Sequence, residues 1–279
     1  MDTSYFQDWF QRRIEIADNI FKIFGKDGVS DAEIIIFCAA SALSYISWPR
    51  TDKQDHRDRK RFVEFLVKFS SGKYPIKIIS TALLIQQLDQ PNHKTDADIL
   101  IEKFFRSKYD YYSKSPERYH PDIEDIRYAP GTLSRIIDPK DIDATEERIL
   151  ELIPAIKLKE IRKSSYASII YSDLRSGLVH KYEPGEKVAR RGWNRKDDKL
   201  SYINYMIMPD EKDVEEFASL YNIDNQEARD ALAQTQRRIY FPYEFIRNTV
   251  SDAANSLFEH WRDASTLSQN EPTKWWIDG

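Results

Sequence analysis

The chain has 279 residues, of which 41% are hydrophobic and 32% charged, a composition that folds around a core rather than staying disordered. Eight glycines and twelve prolines argue against a fold of many tight hairpins and for long helices. A formal net charge of −4 excludes a uniformly basic nucleic-acid coat, and a single cysteine, Cys38, excludes an internal disulfide. Cys38 lies in the apolar run of residues 34–40 and reads as a small core residue. No run reaches the roughly 20 apolar residues of a membrane span. The opening MDTSYFQDWF carries an early acid and no basic segment, unlike a secretory leader. The expectation is a cytoplasmic protein with no membrane partner.

Ser30 and Glu33 form a capping-box pattern ahead of a helix expected over 34–48, apolar on nearly all sides and therefore central. Pro49 ends it. After a charged turn, Phe62, Val63, Phe65, Leu66 and Phe69 make one apolar face and predict a helix over 60–69. Residues 75–90 are apolar and helix-compatible. Thr95 is placed to cap a helix to about Tyr112, with Ile99, Leu100, Phe104 and Phe105 inward. Pro116, Pro121, Pro130 and Pro139 then break any long element, so 113–142 reads as a surface excursion or a linker between two domains.

Asp143 and Glu146 resemble a cap pair for a helix that Pro154 kinks or divides. The next helix is expected over 158–180, with Ile161, Tyr166, Ile169, Ile170, Leu174 and Leu178 inward and Pro184-Gly185 as its stop. Residues 200–208 look like a strand and are expected to pair with 187–190 as a small hairpin. Helices over 210–221 and 226–238 follow. Pro242 then opens a last amphipathic helix through Trp261.

No phosphate-binding glycine loop, no H-E-x-x-H and no C-x-x-C is present. His93 with Asp96 and Asp98 matches no standard metal spacing and reads better as acids at a helix start, so no metal and no cofactor are expected. One constellation carries chemistry, Arg175-Ser176-Gly177-Leu178-Val179-His180-Lys181-Tyr182. Imidazole, with an ordinary pKa of about 6.5, serves as both base and acid near neutrality. A guanidinium offers a fixed fork of donors to a phosphate. On a regular helix five residues advance about 7.5 Å and about 500°, so Arg175 and His180 point in different directions. A bend at Gly177, a helix end near Val179, or a second copy across a twofold axis would reconcile them. On chemistry alone, an ion pair of Arg175 with Asp173 or Glu183, and His180 favouring the helix C-terminus, explain the same residues. Between Lys187 and Lys199 six basic residues face two acids. Arg190, Arg191 and Arg195 with Trp193 make this either a solvated loop or a phosphate-facing patch whose indole stacks on a base.

The stretch from Tyr171 to Tyr182, with its R-x4-H at the end of an amphipathic helix, resembles the signature of the HEPN superfamily. Arg175, His180 and Tyr182 together are similar to the R-x4-H-x-Y of HEPN toxins that pair with nucleotidyltransferase antitoxins. The resemblance implies a mainly α, HEPN-like helical bundle with helical insertions and one small β-hairpin. It would form a single domain over 1–279, with its core at 30–70, 158–182 and 240–265 and insertions at 71–157 and 185–239. It further implies a homodimer whose two motifs face one cleft. The implied activity is a metal-independent endoribonuclease of a toxin, antiviral defence or stress system, leaving a 2′,3′-cyclic phosphate. Arg175 and His180 would be catalytic, and Tyr182 and Ser176 auxiliary or modification positions. RNA would be the substrate, with an antitoxin or regulatory protein as a further partner. The alternative is a non-catalytic HEPN module that binds nucleotide, RNA or a partner protein. If the 187–199 stretch guides RNA, neutralising Arg190, Arg191 and Arg195 together weakens RNA binding and flattens its salt dependence, because fewer counterions are released. Filter binding across a salt series reads both; unchanged affinity and slope leave a solvated loop.

Overall fold

Phe6, Phe10, Ile14, Ala17 and Phe21 recur at intervals of four, four, three and four, which places them on one face of a helix. In the computed structural model they lie on α1 (Thr3–Phe24), a helix absent from the expected elements, with Phe10, Ile14 and Ala17 buried. The structure describes residues 3–48, 58–89, 93–104, 136–137, 139–189, 199–207, 209–232, 234–261 and 275. A 3-10 turn, Gly25–Gly28, joins α1 to α2 (Val29–Ser47). No side chain caps α2, because the chain enters it from a turn that is already helical, so the Ser30–Glu33 capping box does not form as expected. Cys38 is exposed, a second departure: Ile36, Phe37, Ala39 and Ala40 occupy the buried faces around it. The helical run Thr3–Ser47 also contains a stretch long and apolar enough, by length and composition, to cross a membrane, contrary to expectation; 44% of it is buried in this fold.

The architecture is a mainly α helical bundle with, among the described residues, one small antiparallel sheet. α3 (Asp58–Phe69) forms as expected, and its residues from Arg61 to Val67 are all buried. It packs against α2, against α12 (Tyr243–His260) and against the helical segment that begins at Tyr166. α12 also packs against α2. α1 is fastened to α12 by Phe21 stacked on Tyr243 at 4.3 Å. Tyr243 Oη donates to Asp18 at 2.8 Å, and Arg247 pairs with the same carboxylate at 3.0 Å. Near α12's end, Phe6 stacks on Trp261 at 5.2 Å.

The described helices between residues 71 and 157 join this core. α4 (Thr81–Leu88) and α5 (Lys94–Phe104) bury Leu83, Leu84, Leu88, Ala97 and Leu100 in it. α6 (Glu146–Leu152) and α7 (Leu158–Lys163), divided at Pro154, add Ile149 and Ile161. Ile99 is on the exposed side of α5, contrary to expectation. Thr95 is not the cap, since Asp96 N and Ala97 N both donate to His93 O. Residues 105–135, with most of the expected surface excursion, lie outside the described residues.

The helix expected over 75–90 starts only at Thr81, because the chain turns at residues 76 and 77 and residues 78–80 then run between two neighbours. Ile79 N donates to Ala144 O at 2.9 Å, Ser80 N to Ser164 O at 2.8 Å, and Tyr166 N to Ile78 O at 3.0 Å. Asp143 closes this arrangement instead of capping α6, whose cap is Thr145. Its carboxylate accepts Thr81 N at 3.0 Å, Tyr202 Oη at 2.9 Å and the Tyr166 hydroxyl. Tyr202 Oη also lies 2.6 Å from Ser80 Oγ.

The sheet has the order β1-β2-β3, with β1 (Ile136–Ile137), β2 (Ser201–Ile207) and β3 (Gln234–Tyr240). β2 pairs antiparallel with β3 from Ser201↔Tyr240 to Ile207↔Gln234. This corrects two expectations. β2 does not pair with the described part of 187–190, residues 187–189, whose Val188 instead bridges Ile239 in parallel. The helix expected to reach residue 238 stops at Leu232, and the chain continues as β3. α10 (Glu211–Tyr221) and α11 (Asn225–Leu232) fill the connection between β2 and β3.

Burial first, and the Asp143 charge second, push the Tyr166 and Tyr202 phenols well above their ordinary value of 10.0. Unfolding frees phenols that ionise near pH 10, whereas in the fold they stay neutral. Their contribution is therefore complete below about pH 10 and falls as pH rises above it. Thermal melts should show a declining midpoint on the alkaline side, flattened in Tyr166→Phe and in Tyr202→Phe. Each variant should also lose about 1–3 kcal/mol at neutral pH, since a buried acceptor is left without its donor.

Candidate functional site

The motif belongs to a helix that starts later and winds differently than a regular 158–180 helix. α7 ends at Lys163 because Ser164 and the Tyr166 amide are committed to the 76–80 segment. Ser165 then caps a new helix, its Oγ accepting Ser168 N at 3.3 Å. α8 (Tyr166–Ile169) passes into a π turn, Ile170–Arg175, and then into α9 (Ser176–Lys181). Tyr166, Ile170, Leu174 and Leu178 are all buried at steps of four. A regular helix would drift by about 40° at each such step, and the wide turn takes up part of that drift. All six positions expected to face inward from 158 to 180 are buried.

After Lys181 the chain turns back over its own helix. Tyr182 takes a left-handed conformation, φ 58°, and its amide donates to Leu178 O at 3.1 Å. Glu183 N donates to Gly177 O at 3.4 Å and Gly185 N to Asp173 O at 2.6 Å. A Cβ on residue 177 would lie 2.3 Å from Glu183 O and 2.9 Å from Gly185 N, so the close approach requires glycine there. Pro184-Gly185 therefore does more than stop the helix. The helix continues through Gly177 and Val179 to Lys181.

Arg175 forms neither of the ion pairs considered for it. Its Nη2 donates to Ser41 Oγ on α2 at 3.4 Å, and its guanidinium lies 5.2 Å from the Tyr171 ring centroid. Its Nε is buried with no hydrogen-bond partner among the described residues. Asp173 accepts from Ser172 Oγ at 2.6 Å and from Lys187 N at 3.4 Å. His180 is exposed, so the two key side chains diverge, one toward α2 and the other toward solvent. Ser176 is half-buried and Tyr182 exposed. The nearby Asp31 raises the Tyr182 phenol's pKa. Arg190, Arg191, Trp193 and Arg195 lie outside the described residues.

Two arginines of α3, Arg59 and Arg61, are missed by the sequence reading. Arg59 lies within electrostatic reach of Tyr171 and Asp173; burial lowers its pKa, and those two groups oppose the change. Arg61, only 6% exposed, pairs with Asp58 and lies 4.9 Å from the Tyr45 ring centroid. Two arginines on the otherwise apolar face of residues 58–69 were the available signal. As for His93, its Nδ1 contacts Asp96 at 3.4 Å, and no group of three or more metal-ligating side chains converges among the described residues.

No family model matches the chain, and neither does any curated protein or solved structure. Gly177→Ala tests the local account. An ordinary helix interior gains about 1 kcal/mol from this change. Here the clash should reverse the sign and cost about 1–3 kcal/mol. A denaturant midpoint that rises in the variant would overturn the account.

Proposed function

We propose that the chain is a HEPN-type endoribonuclease acting as a homodimer, with His180 and Arg175 as its catalytic residues. The observation that carries this reading is the placement of the pair. His180 is exposed at the end of α9, free of any core role, and Arg175 is half-buried on the same helix, backed by the Tyr171 ring. RNA carries its own nucleophile in the 2′-hydroxyl. His180 takes the proton of that hydroxyl or delivers one to the departing 5′-oxygen. Arg175 holds the scissile phosphate and offsets the charge that gathers on its oxygens. The product is a 2′,3′-cyclic phosphate and a free 5′-hydroxyl.

The dimer belongs to the proposal because the two side chains diverge within one chain. A twofold copy brings the Arg175 of one protomer toward the His180 of the other. Light scattering should then report twice 32.9 kDa at micromolar concentration, and a single-chain mass would count against the shared cleft.

Total RNA incubated with the protein in EDTA should be cleaved, because no step above uses a metal. His180→Ala should reduce the rate by about 10²–10⁴-fold. Arg175→Ala should cost a comparable factor, and the double variant little more than either single one. His180→Ala should leave stability within about 0.5 kcal/mol, as for other exposed positions. A wild-type protein that cleaves no RNA yet binds nucleotide or a partner protein through Arg175 would favour the non-catalytic module. A His180→Ala chain that unfolds would assign the histidine a structural role.

A further inference from the structure

α2 keeps one face partly out of the core, with Cys38, Ser41, Ala42 and Tyr45 at helical spacing along it. Three of these residues are small. The fourth is an aromatic side chain that is 49% exposed and gives up the burial its size would otherwise supply. The ring is held in place all the same. The Arg61 guanidinium lies 4.9 Å from its centroid, on a residue only 6% exposed that is seated by its pair with Asp58. A buried cation over a tyrosine is attracted to the ring face, which fixes the plane of the ring. One face is thus taken by α3, and the exposure belongs to the other.

One turn back along α2, Ser41 accepts from Arg175 at 3.4 Å. Four residues advance about 6 Å and return to the same helix face, so the open ring and the Arg175 guanidinium are neighbours on one surface. A second chain of contacts joins them: Phe62, beside Arg61, lies 5.4 Å from the Tyr171 ring that backs Arg175. Arg59, within reach of Tyr171, adds a third positive charge to this side. The acids here are engaged, Asp58 by Arg61 and Asp173 by Ser172 and the Lys187 amide.

We propose that Tyr45 is a stacking platform for one unstacked base of a single strand whose adjacent phosphate lies at Arg175. That the strand is RNA to be cut rests on the ribonuclease reading. An open aromatic face flanked by guanidinium groups suits a chain that carries flat groups and negative charge in alternation. Every base has a π face, so the platform selects for strandedness rather than for sequence. A duplex keeps its bases stacked on one another, whereas a single strand can offer one to the ring.

The test uses the full chain and a short adenosine-rich strand with 2′-methoxy groups, which lacks the nucleophile and binds without being cut. Fluorescence anisotropy reads its affinity. Tyr45→Ala should weaken binding by about 5- to 150-fold, the worth of one base on one aromatic ring. Tyr45→Phe and Tyr45→Trp should stay within about twofold of wild type, because stacking does not use the hydroxyl. Tyr45→Leu, which keeps apolar cover over Arg61 but has no aromatic face, should lose as much as alanine. It carries the test if Tyr45→Ala fails to fold. The loss should leave the salt dependence unchanged, whereas Arg175→Ala should flatten it by about one phosphate's share. A duplex of the same sequence should bind Tyr45→Ala and wild type alike. Equal single-strand affinity in wild type, Tyr45→Ala and Tyr45→Leu would overturn the platform. So would a fall of Tyr45→Ala to a single-chain mass in light scattering, which would make the ring a contact between copies. Strand binding that depends on the Tyr45 ring without any RNA cleavage keeps the platform and removes the ribonuclease. Cleavage with binding indifferent to that ring removes the platform and keeps the ribonuclease.

Discussion

The Asp143 carboxylate is the constraint on which the rest of the arrangement depends. It holds together the amide of Thr81, the phenol of Tyr166 and the phenol of Tyr202, from three separate stretches of chain. A half-buried carboxylate is costly unless its lone pairs are occupied. Its retention here keeps residues 78–80 extended and starts the next helix at Tyr166. That starting point sets where the wide turn falls and, through it, the orientation of Arg175. The geometry of the proposed site is thus decided by a polar contact made well away from it.

The motif helix separates two electrostatic environments. Toward α3 it meets Arg59, with Arg61 further along the same helix over Tyr45. Toward the start of α2 it meets Asp31 through Tyr182 and, across a cavity, Asp27 and Glu33. Tyr182 shows what the second side demands. A left-handed residue other than glycine costs about 1–2 kcal/mol, and glycine or asparagine normally stands at such a helix end.

Periodic burial was legible in the sequence, and contacts made across long separations were not. The faces of residues 60–69, 158–180 and 243–261 are readable because their apolar residues repeat with the helical period, and those residues are buried except Phe245, which packs partly buried against the core. The α1 helix carried the same signal and was passed over. Asp143 was misread because its D-x-x-E spacing imitates a local cap, whereas its partners lie 62, 23 and 59 residues away. β3 was taken for the end of a helix because its strand character comes from the ladder with β2. Gly177 could be seen but not explained until the returning chain was placed over it. Arg175 and His180 were found through spacing and resemblance, yet spacing alone did not anticipate Ser41 or Tyr171 as the immediate company of the arginine.

The β2–β3 connection has a consequence for how this protein can change over time. α10 and α11 enclose a small core of their own, Val214, Ala218 and Ala228, separate from the main one, and they leave Leu220 and Tyr221 in solvent. Their entry and exit lie next to the paired ends Ile207 and Gln234, neighbours on adjacent strands. Opposed residues on antiparallel strands are about 5 Å apart, a gap that a two-residue turn can span. The helical pair is thus a cassette, replaceable by a short turn or by another folded unit without moving the bundle. Across a lineage this is where length should vary first, and in the laboratory it is where a reporter or an affinity module can be spliced in while the motif helix keeps its footing.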